Sequence, residues 1–126
     1  MRRIYDTNVI IDAGKGVPDA SNAIRRAALC EWAGLSSMSR IEALGFPRIT
    51  PDEEKKLAAL IAQLVEVDIS GAIVDEAIRI RRSVTTKTAD AVIAATGLLN
   101  NADLITRNVD GFKNISGLTV IHPADA

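Results

Sequence analysis

"MRRIYDTNVIID" (residues 1–12) predicts a short buried strand that leads directly into a helix, with a carboxylate at the junction. The strand is expected from about Arg3 to Tyr5, and the helix can begin at Asn8. Asp6 interrupts this otherwise apolar run. Because an unpaired buried carboxylate is costly, Asp6 must cap the helix, pair with a cation or bind a ligand.

The first half of the chain continues as alternating helices and strands. A helix is predicted from Asp19 or Ser21 to near Gly34, since glycine is suited to the residue after a helix end. "LSSMS" (residues 35–39) is predicted as a strand, and "RIEALGF" (residues 40–46) as a brief helix that the following proline closes.

The second half contains the clearest helix signal. "TPDE" (residues 50–53) is a capping box, which predicts the start of an amphipathic helix. Ser70 and Thr88 can each cap a further helix. Strands that alternate with helices indicate an α/β fold in one domain, residues 1–126, with a largely parallel sheet covered on both faces. Three more strands are predicted over "LVEVDIS" (residues 64–70), "ADLITR" (residues 102–107) and "LTVIHP" (residues 118–123).

Composition argues against several function classes. The formal net charge of −1 argues against a generically basic nucleic-acid binder. Cys30 is the only cysteine, so no intrachain disulfide or thiolate cluster can form, which is compatible with a reducing cytoplasm. The first residues lack a secretory apolar region, and no apolar run approaches membrane-spanning length. Serine-hydrolase and glycine-rich phosphate-binding motifs are also missing.

Three acidic residues fall where the ligand crevice of a parallel sheet is expected, beyond the carboxyl ends of the strands. Asp6 ends the first strand, Glu42 follows the second, and Asp90 lies in the first turn of the helix before "ADLITR". Each has a structural alternative. Asp6 can cap its helix, and Asp90 can complement a helix dipole. Glu42 can pair with Arg40 or Arg48.

Taken together, the three carboxylates predict a metal site. In one cleft they would repel one another unless a bound cation compensated their charge. Their oxygen ligands favour Mg²⁺ or Mn²⁺ over zinc, because the chain has neither a cysteine cluster nor a pair of histidines.

Four segments in series resemble a PIN domain, specifically the short VapC-type ribonuclease toxins of bacteria and archaea. The resemblance implies a three-layer α/β/α fold with a mostly parallel central sheet. It also implies a Mg²⁺- or Mn²⁺-dependent endoribonuclease with RNA as substrate, usually a homodimer held by a VapB-like antitoxin. The matching segments are "YDTNVIID" (residues 5–12), "SSMSRIEALGF" (residues 36–46), "TADAVIAATGLL" (residues 88–99) and "LITRNVDGF" (residues 104–112).

Carried over by position, the resemblance assigns Asp6, Glu42 and Asp90 as the catalytic metal ligands. Asn8 and Thr106 match polar residues that line or brace the family's site. These assignments cover both halves of the chain, in the order and spacing of the family.

The fourth acid of the family pattern is displaced in this chain. Relatives often have an aspartate where this chain has Asn108, or an acid where it has Gly111. Asp110 lies one residue from the second of these positions. We expect Asn108 to enter the site as a weak ligand and Asp110 to lie at its rim, so that one metal binds well and a second poorly.

Two other functions stay open on the sequence alone. A phosphotransfer domain of the haloacid-dehalogenase kind also has an aspartate after its first strand. It requires a second aspartate two residues later, where this chain has Asn8. A degenerate PIN domain could instead bind RNA or a protein partner without cleavage. Metal-dependent cleavage of an RNA pool separates both from the nuclease.

Overall fold

A five-stranded sheet forms the centre of the structure, a computed structural model that describes residues 1–126. Its strands are β1 (Arg2–Tyr5), β2 (Trp32–Ser36), β3 (Val65–Val67), β4 (Asp103–Ile105) and β5 (Val120–Ile121). Their order across the sheet is β3-β2-β1-β4-β5, and every neighbouring pair is parallel. Helices cover both faces, which confirms the expected three-layer α/β/α arrangement.

Seven α-helices connect or follow these strands. They are α1 (Thr7–Gly14), α2 (Pro18–Arg25), α3 (Ser37–Leu44), α4 (Pro51–Ile61), α5 (Gly71–Ser83), α6 (Thr88–Leu99) and α7 (Val109–Phe112), with short 3₁₀ helices at Arg26–Leu29 and Pro123–Asp125. The predicted capping box is confirmed, since Thr50 and Glu53 exchange side-chain-to-backbone hydrogen bonds at the start of α4. Ser70 caps α5 as predicted. None of the helices combines the length and the apolar character needed to cross a membrane.

The side chains of β1 alternate between two halves of the core. Tyr5 packs with residues of α1, α2 and α4 on one face, whereas Ile4 packs with residues of α5 and α6 on the other. Every residue of α6 from Ala91 to Gly97 is buried. A helix that is apolar around its circumference lies inside the fold, so the first turn of α6 is held firmly beside the sheet.

The prediction of a helix extending to Gly34 is wrong. α2 ends at Arg25, and Gly34 lies in β2, paired with Ile4 of β1. The alanine- and arginine-rich sequence favours a helix locally, but pairing with both β1 and β3 outweighs that preference. A glycine is required here because an added Cβ would lie 2.5 Å from the Trp32 ring and 2.8 Å from the carbonyl oxygen of Val65.

Two further predicted boundaries, the end of β2 and the start of α6, also differ from the structure. β2 ends at Ser36, whose hydroxyl caps α3, so residues 37–39 are helical rather than extended. Thr88 does not cap α6, because it is already the first helical residue. Lys87 occupies the cap position and makes no capping hydrogen bond through its side chain.

Candidate active site

Asp6 is the first residue after β1 and caps the helix that follows. Its Oδ1 accepts a hydrogen bond from the Thr7 backbone N–H at 2.8 Å, so α1 begins one residue before the predicted start. Its Oδ2 accepts from the Thr106 hydroxyl at 2.7 Å and from the Asn8 amide at 3.3 Å. Three neighbours therefore fix the orientation of a carboxylate that is only 6% exposed.

The crevice above Asp6 lies where the strand order reverses. From β1 the chain adds β2 and β3 on one side, and it then returns to place β4 on the other side of β1. Connections that diverge from adjacent parallel strands leave a crevice at their carboxyl ends. Because Asp6 follows β1 and Thr106 follows β4, both side chains belong to this crevice.

Glu42 reaches the same crevice from α3. The Thr7 hydroxyl lies 2.8 Å from Glu42 Oε1 and 3.0 Å from the hydroxyl of Ser39, which is fully buried. Arg40 pairs with Glu66, and no ion pair in the structure includes Glu42. The alternative in which Glu42 serves an ion pair is wrong, and a hydroxyl network orients this carboxylate instead.

Asp90 approaches the crevice from the first turn of α6. Burial raises the pKa of Asp90, the nearby charge of Lys87 partly offsets this shift, and the charge of Glu42 adds to it. The amino-terminal end of a helix favours an anion, so Asp90 also has the dipole-related role considered from the sequence. Stabilisation of the amino-terminal end of α6 by Asp90 is compatible with the binding of a cation in the crevice.

One open cleft of about 390 Å³ brings the acidic residues together. A larger groove of about 640 Å³ lies between α1 and α4, but Glu53 is its only acidic residue. The chemistry rather than the volume therefore identifies the smaller cleft as the candidate active site. Its lining consists of Asp6, Thr7, Asn8, Ile11, Glu42, Lys87, Ala89, Asp90 and Asn108.

The three carboxylates influence one another electrostatically. Burial is the main reason that the pKa of Asp6 is raised, and the charges of Asp90 and Glu42 raise it further. The hydrogen bonds from the Thr106 hydroxyl and the Thr7 N–H act in the opposite direction. The charges of Asp90 and Glu42 therefore act on the buried carboxylate of Asp6, and a cation in the cleft would relieve that repulsion.

The donor set fits a hard divalent cation that keeps part of its water shell. No three acidic, histidine or cysteine side chains lie close enough together to form a ready ligand group. Mg²⁺ usually retains several waters and takes only one or two protein carboxylates, so separated carboxylates around one cleft suit it. The groups available to hold such an ion are Asp6, Glu42 and Asp90, and Asn108 lines the same cleft.

Asn108 lines the cleft, whereas Asp110 lies outside it. Asn108 Oδ1 accepts a hydrogen bond from the Gly111 N–H at 3.2 Å and so caps the short α7. The Asp110 side chain is 88% exposed and pairs with Lys113 at 3.1 Å. Asn108 therefore lines the cleft, while Asp110, expected at its rim, points to solvent. Whether either residue binds a metal stays a prediction.

Two residues that support the site are not predicted from the sequence. Ser39 precedes Glu42 by one helical turn, so its spacing on α3 is a signal that could have found it. Arg107 has no comparable local signal, because its ion-pair partners Asp12 and Asp19 lie far away along the chain.

The fold and the cleft together define an α/β/α domain with acidic residues gathered at the switch point of a parallel sheet. The family model of the PIN domain matches residues 3–118, so the chain belongs to the PIN domain family. No curated protein sequence matches the chain.

Solved structures similar to this chain come from toxin–antitoxin complexes. A chain of a toxin–antitoxin complex from Klebsiella pneumoniae is 27% identical, with a TM-score of 0.82 and coverage of 98% of this chain and 99% of that one. VapBC2 from Rickettsia felis, bound to a promoter DNA fragment, is 22% identical with a TM-score of 0.83, covering 97% and 98%. VapBC-1 from nontypeable Haemophilus influenzae is 21% identical with a TM-score of 0.74, covering 98% of both chains. The last two likenesses concern the fold alone.

Proposed function

We propose that this protein is a Mg²⁺- or Mn²⁺-dependent endoribonuclease, the VapC-type toxin of a toxin–antitoxin pair acting in the cytoplasm. The observation that carries the proposal is the single cleft at the carboxyl ends of β1 and β4, lined by Asp6, Glu42 and Asp90. PIN domains are generally nucleases that depend on a divalent metal. The similarity to a Klebsiella pneumoniae toxin–antitoxin complex supports the toxin assignment.

The chain's own residues divide the work of holding and orienting the reactants. Asp6 is buried and fixed by Thr106 and Asn8, so it serves as the rigid metal ligand. Glu42 is exposed and held only through its contact with Thr7, so it can adjust to the ion and its waters. A bound Mg²⁺ or Mn²⁺ supplies an activated water and stabilises charge on the phosphate.

RNA is held at the rim of the cleft rather than over the whole surface. The net charge of −1 leaves no general attraction for nucleic acid, so local cations have to supply it. Lys87 is exposed and lines the cleft, and Arg81 lies close by, with its guanidinium donating to the Thr88 hydroxyl at 2.8 Å. Contacts of this kind to phosphate position the strand and give little sequence choice.

An antitoxin partner is supported by an apolar surface next to the cleft. Ile41 and Phe46 on and after α3 are 62% and 59% exposed. Ile11 lines both the acidic cleft and an adjoining apolar pocket that contains Phe46, Ile49 and Leu57. A VapB-like segment bound there would shield apolar surface and obstruct the cleft. We also propose a homodimer, which sedimentation of the chain with and without its antitoxin tests directly.

The nuclease assignment is tested with an RNA pool. Cleavage should require Mg²⁺ or Mn²⁺, stop on addition of EDTA and be lost in Asp90→Asn. Asp52→Asn, which removes one acid from the surface of α4, serves as the matched control and should cleave normally. Absence of cleavage under all metal conditions would contradict the proposal.

A second function is favoured by one observation, the neutral Asn108 in the cleft where relatives often have an acid. In that case the chain binds RNA or a protein partner without cutting. RNA binding that persists in EDTA, together with intact RNA in the presence of Mn²⁺, would support this reading over the nuclease.

A further inference from the structure

Arg107 lies between two residues of the site, Thr106 and Asn108, yet its side chain does not line the cleft. Its Nη1 donates to Asp19 Oδ2 at 2.9 Å and its Nη2 to Asp19 Oδ1 at 2.6 Å, which makes a bidentate pair. Its Nε donates to Asp12. Since Asp12 belongs to α1 and Asp19 to α2, one guanidinium joins the segment after β4 to both helices.

The backbone beside Arg107 carries contacts that complete the site. The Thr106 hydroxyl donates to Asp6 and accepts from the Asn108 N–H at 3.1 Å. The Arg107 N–H lies 3.5 Å from Asn8 Oδ1. Any displacement of residues 106–108 would therefore disturb the hydrogen bond to Asp6 and the position of Asn108 at the same time.

We propose that Arg107 is a positioning residue, which fixes residues 106–108 against α1 and α2 so that Asp6 and Asn108 keep their places in the cleft. The proposal rests on the proposed function, because it concerns the metal-holding role of that cleft. Each nitrogen of the Arg107 guanidinium contacts a carboxylate, and the side chain is 28% exposed. This geometry commits the guanidinium to Asp12 and Asp19 rather than to RNA phosphate.

The contact requires an arginine and not merely a positive charge. A guanidinium is planar and presents its N–H groups as a rigid fork, which matches two oxygens of one carboxylate while Nε binds a second acid. A lysine ammonium is a single point that cannot reproduce both contacts. Arg107→Lys should therefore recover only part of what Arg107→Gln loses.

The experiment compares Arg107→Gln, Arg107→Lys and Asp19→Asn with Lys56→Gln, which removes one cation from an exposed pair with Asp52 on α4. Loss of a group that orients a metal ligand typically costs about 10–100-fold in metal affinity. Arg107→Gln should weaken Mn²⁺ binding within that range. It should also accelerate hydrogen exchange of the backbone amide of Asn108, which donates to Thr106. It should also lower kcat with little change in KM for RNA. Lys56→Gln should match the wild type in all three measurements.

Two results would overturn the proposal. The first is a folded Arg107→Gln variant whose Mn²⁺ affinity and Asn108 hydrogen exchange are both unchanged. Arg107 would then only stabilise the fold and would not position the site. A raised KM with unchanged kcat would show that Arg107 contacts RNA. If Arg107→Gln fails to fold, Asp19→Asn retains the Asp12 contact and decides by the same criteria. If the wild type neither binds Mn²⁺ nor cleaves RNA, the proposed function fails, while Asn108 exchange still tests the positioning role.

Discussion

The hydroxyl of Thr106 donates a hydrogen bond of 2.7 Å to Oδ2 of Asp6, so the first residue after β4 holds the first residue after β1. The two residues are 100 positions apart along the chain. They meet because β1 and β4 are paired in parallel with Tyr5 opposite Ile105. A register shift of one residue would turn these side chains to the other face of the sheet, so the site depends on the strand register.

Asp6→Asn should abolish RNA cleavage and leave the fold intact or slightly stabilised. Asparagine caps a helix as well as aspartate does. Removal of one buried charge relieves repulsion from Asp90 and Glu42, which offsets the loss of an acceptor for Thr106 and Asn8. We expect a loss of more than about 100-fold, since removing even a partner of a metal ligand costs up to about that much. Cleavage rates and thermal unfolding of the same preparation measure both effects. An unfolded variant would show that Asp6 serves mainly as a structural cap.

Crystals soaked in Mn²⁺ should show anomalous density within direct or water-mediated reach of Asp6, Glu42 and Asp90. The expectation follows from their shared cleft and from the readiness of Mg²⁺-type ions to keep several waters. A soak of Asp6→Asn provides the control and should lose or displace the peak. Density that appears only at Asp52, Glu53 and Glu54 on α4 would contradict the assignment of the cleft.

Thr106→Val should weaken Mn²⁺ binding more at low pH than at high pH. The hydrogen bond from Thr106 lowers the pKa of Asp6, against the upward shift that burial causes. Without the hydroxyl the pKa of Asp6 rises further, and protons then compete with the metal over a wider range of pH. Mn²⁺ titrations at pH 6 and pH 8 test this, with Thr106→Ser as the control that keeps a hydroxyl. An equal loss at both pH values would mean that the hydroxyl acts by geometry alone.

The elements of the site follow from the sequence to different extents. Asp6 and Asp90 can be placed because they lie at the end of a strand and in the first turn of a helix, where local signals are strong. Glu42 lies in the second half of α3 and is placed by its position in the motif that follows β2. The course of β2 cannot be placed in the same way. Gly34 reads as a helix end, and only its pairing with β1 and β3 makes it part of a strand.

Contacts between distant segments are the part of the site that local patterns do not encode. Thr7 and Ser39 are 32 residues apart, and Arg107 and Asp19 are 88 residues apart. Both contacts depend on how α1, α2 and α3 pack around the sheet. Their existence therefore becomes visible only in the folded chain.

Asp19→Asn should remove a contribution to stability that is present at neutral pH and absent in strong acid. The Arg107 guanidinium lowers the pKa of Asp19 to about 2, whereas an unperturbed aspartate has a pKa of about 3.9. A folded-state pKa below the unfolded value stabilises the fold above that range, and the gain is lost as the pH falls from about 4 to about 2. Urea unfolding at several pH values should show a wild-type advantage that shrinks over this interval. A constant difference would exclude titration of Asp19 as its origin.

Asn108 caps the short helix α7 and contacts Gly111 directly, so the residue type at 111 affects the position of Asn108. An added Cβ at residue 111 would lie 2.3 Å from Asn108 Nδ2, so a side chain there would force Asn108 out of its present position. An acid at 111, as in some relatives, is therefore incompatible with this placement of Asn108. Of residues 108–112, only Asn108 lines the cleft.

Asn108→Asp should tighten Mn²⁺ binding or add a second metal site, whereas Asp110→Ala should change cleavage only modestly. Asn108 lines the cleft but offers only a neutral carbonyl oxygen, which binds a cation more weakly than a carboxylate does. Asp110 has the charge, yet it is exposed and pairs with Lys113 outside the cleft. Mn²⁺ titration of both variants measures the number of sites and their affinities, and RNA cleavage by the same samples gives the activity. A loss of activity in Asp110→Ala as complete as in Asp6→Asn would show that the loop turns Asp110 inward and that the fourth ligand is Asp110, not Asn108.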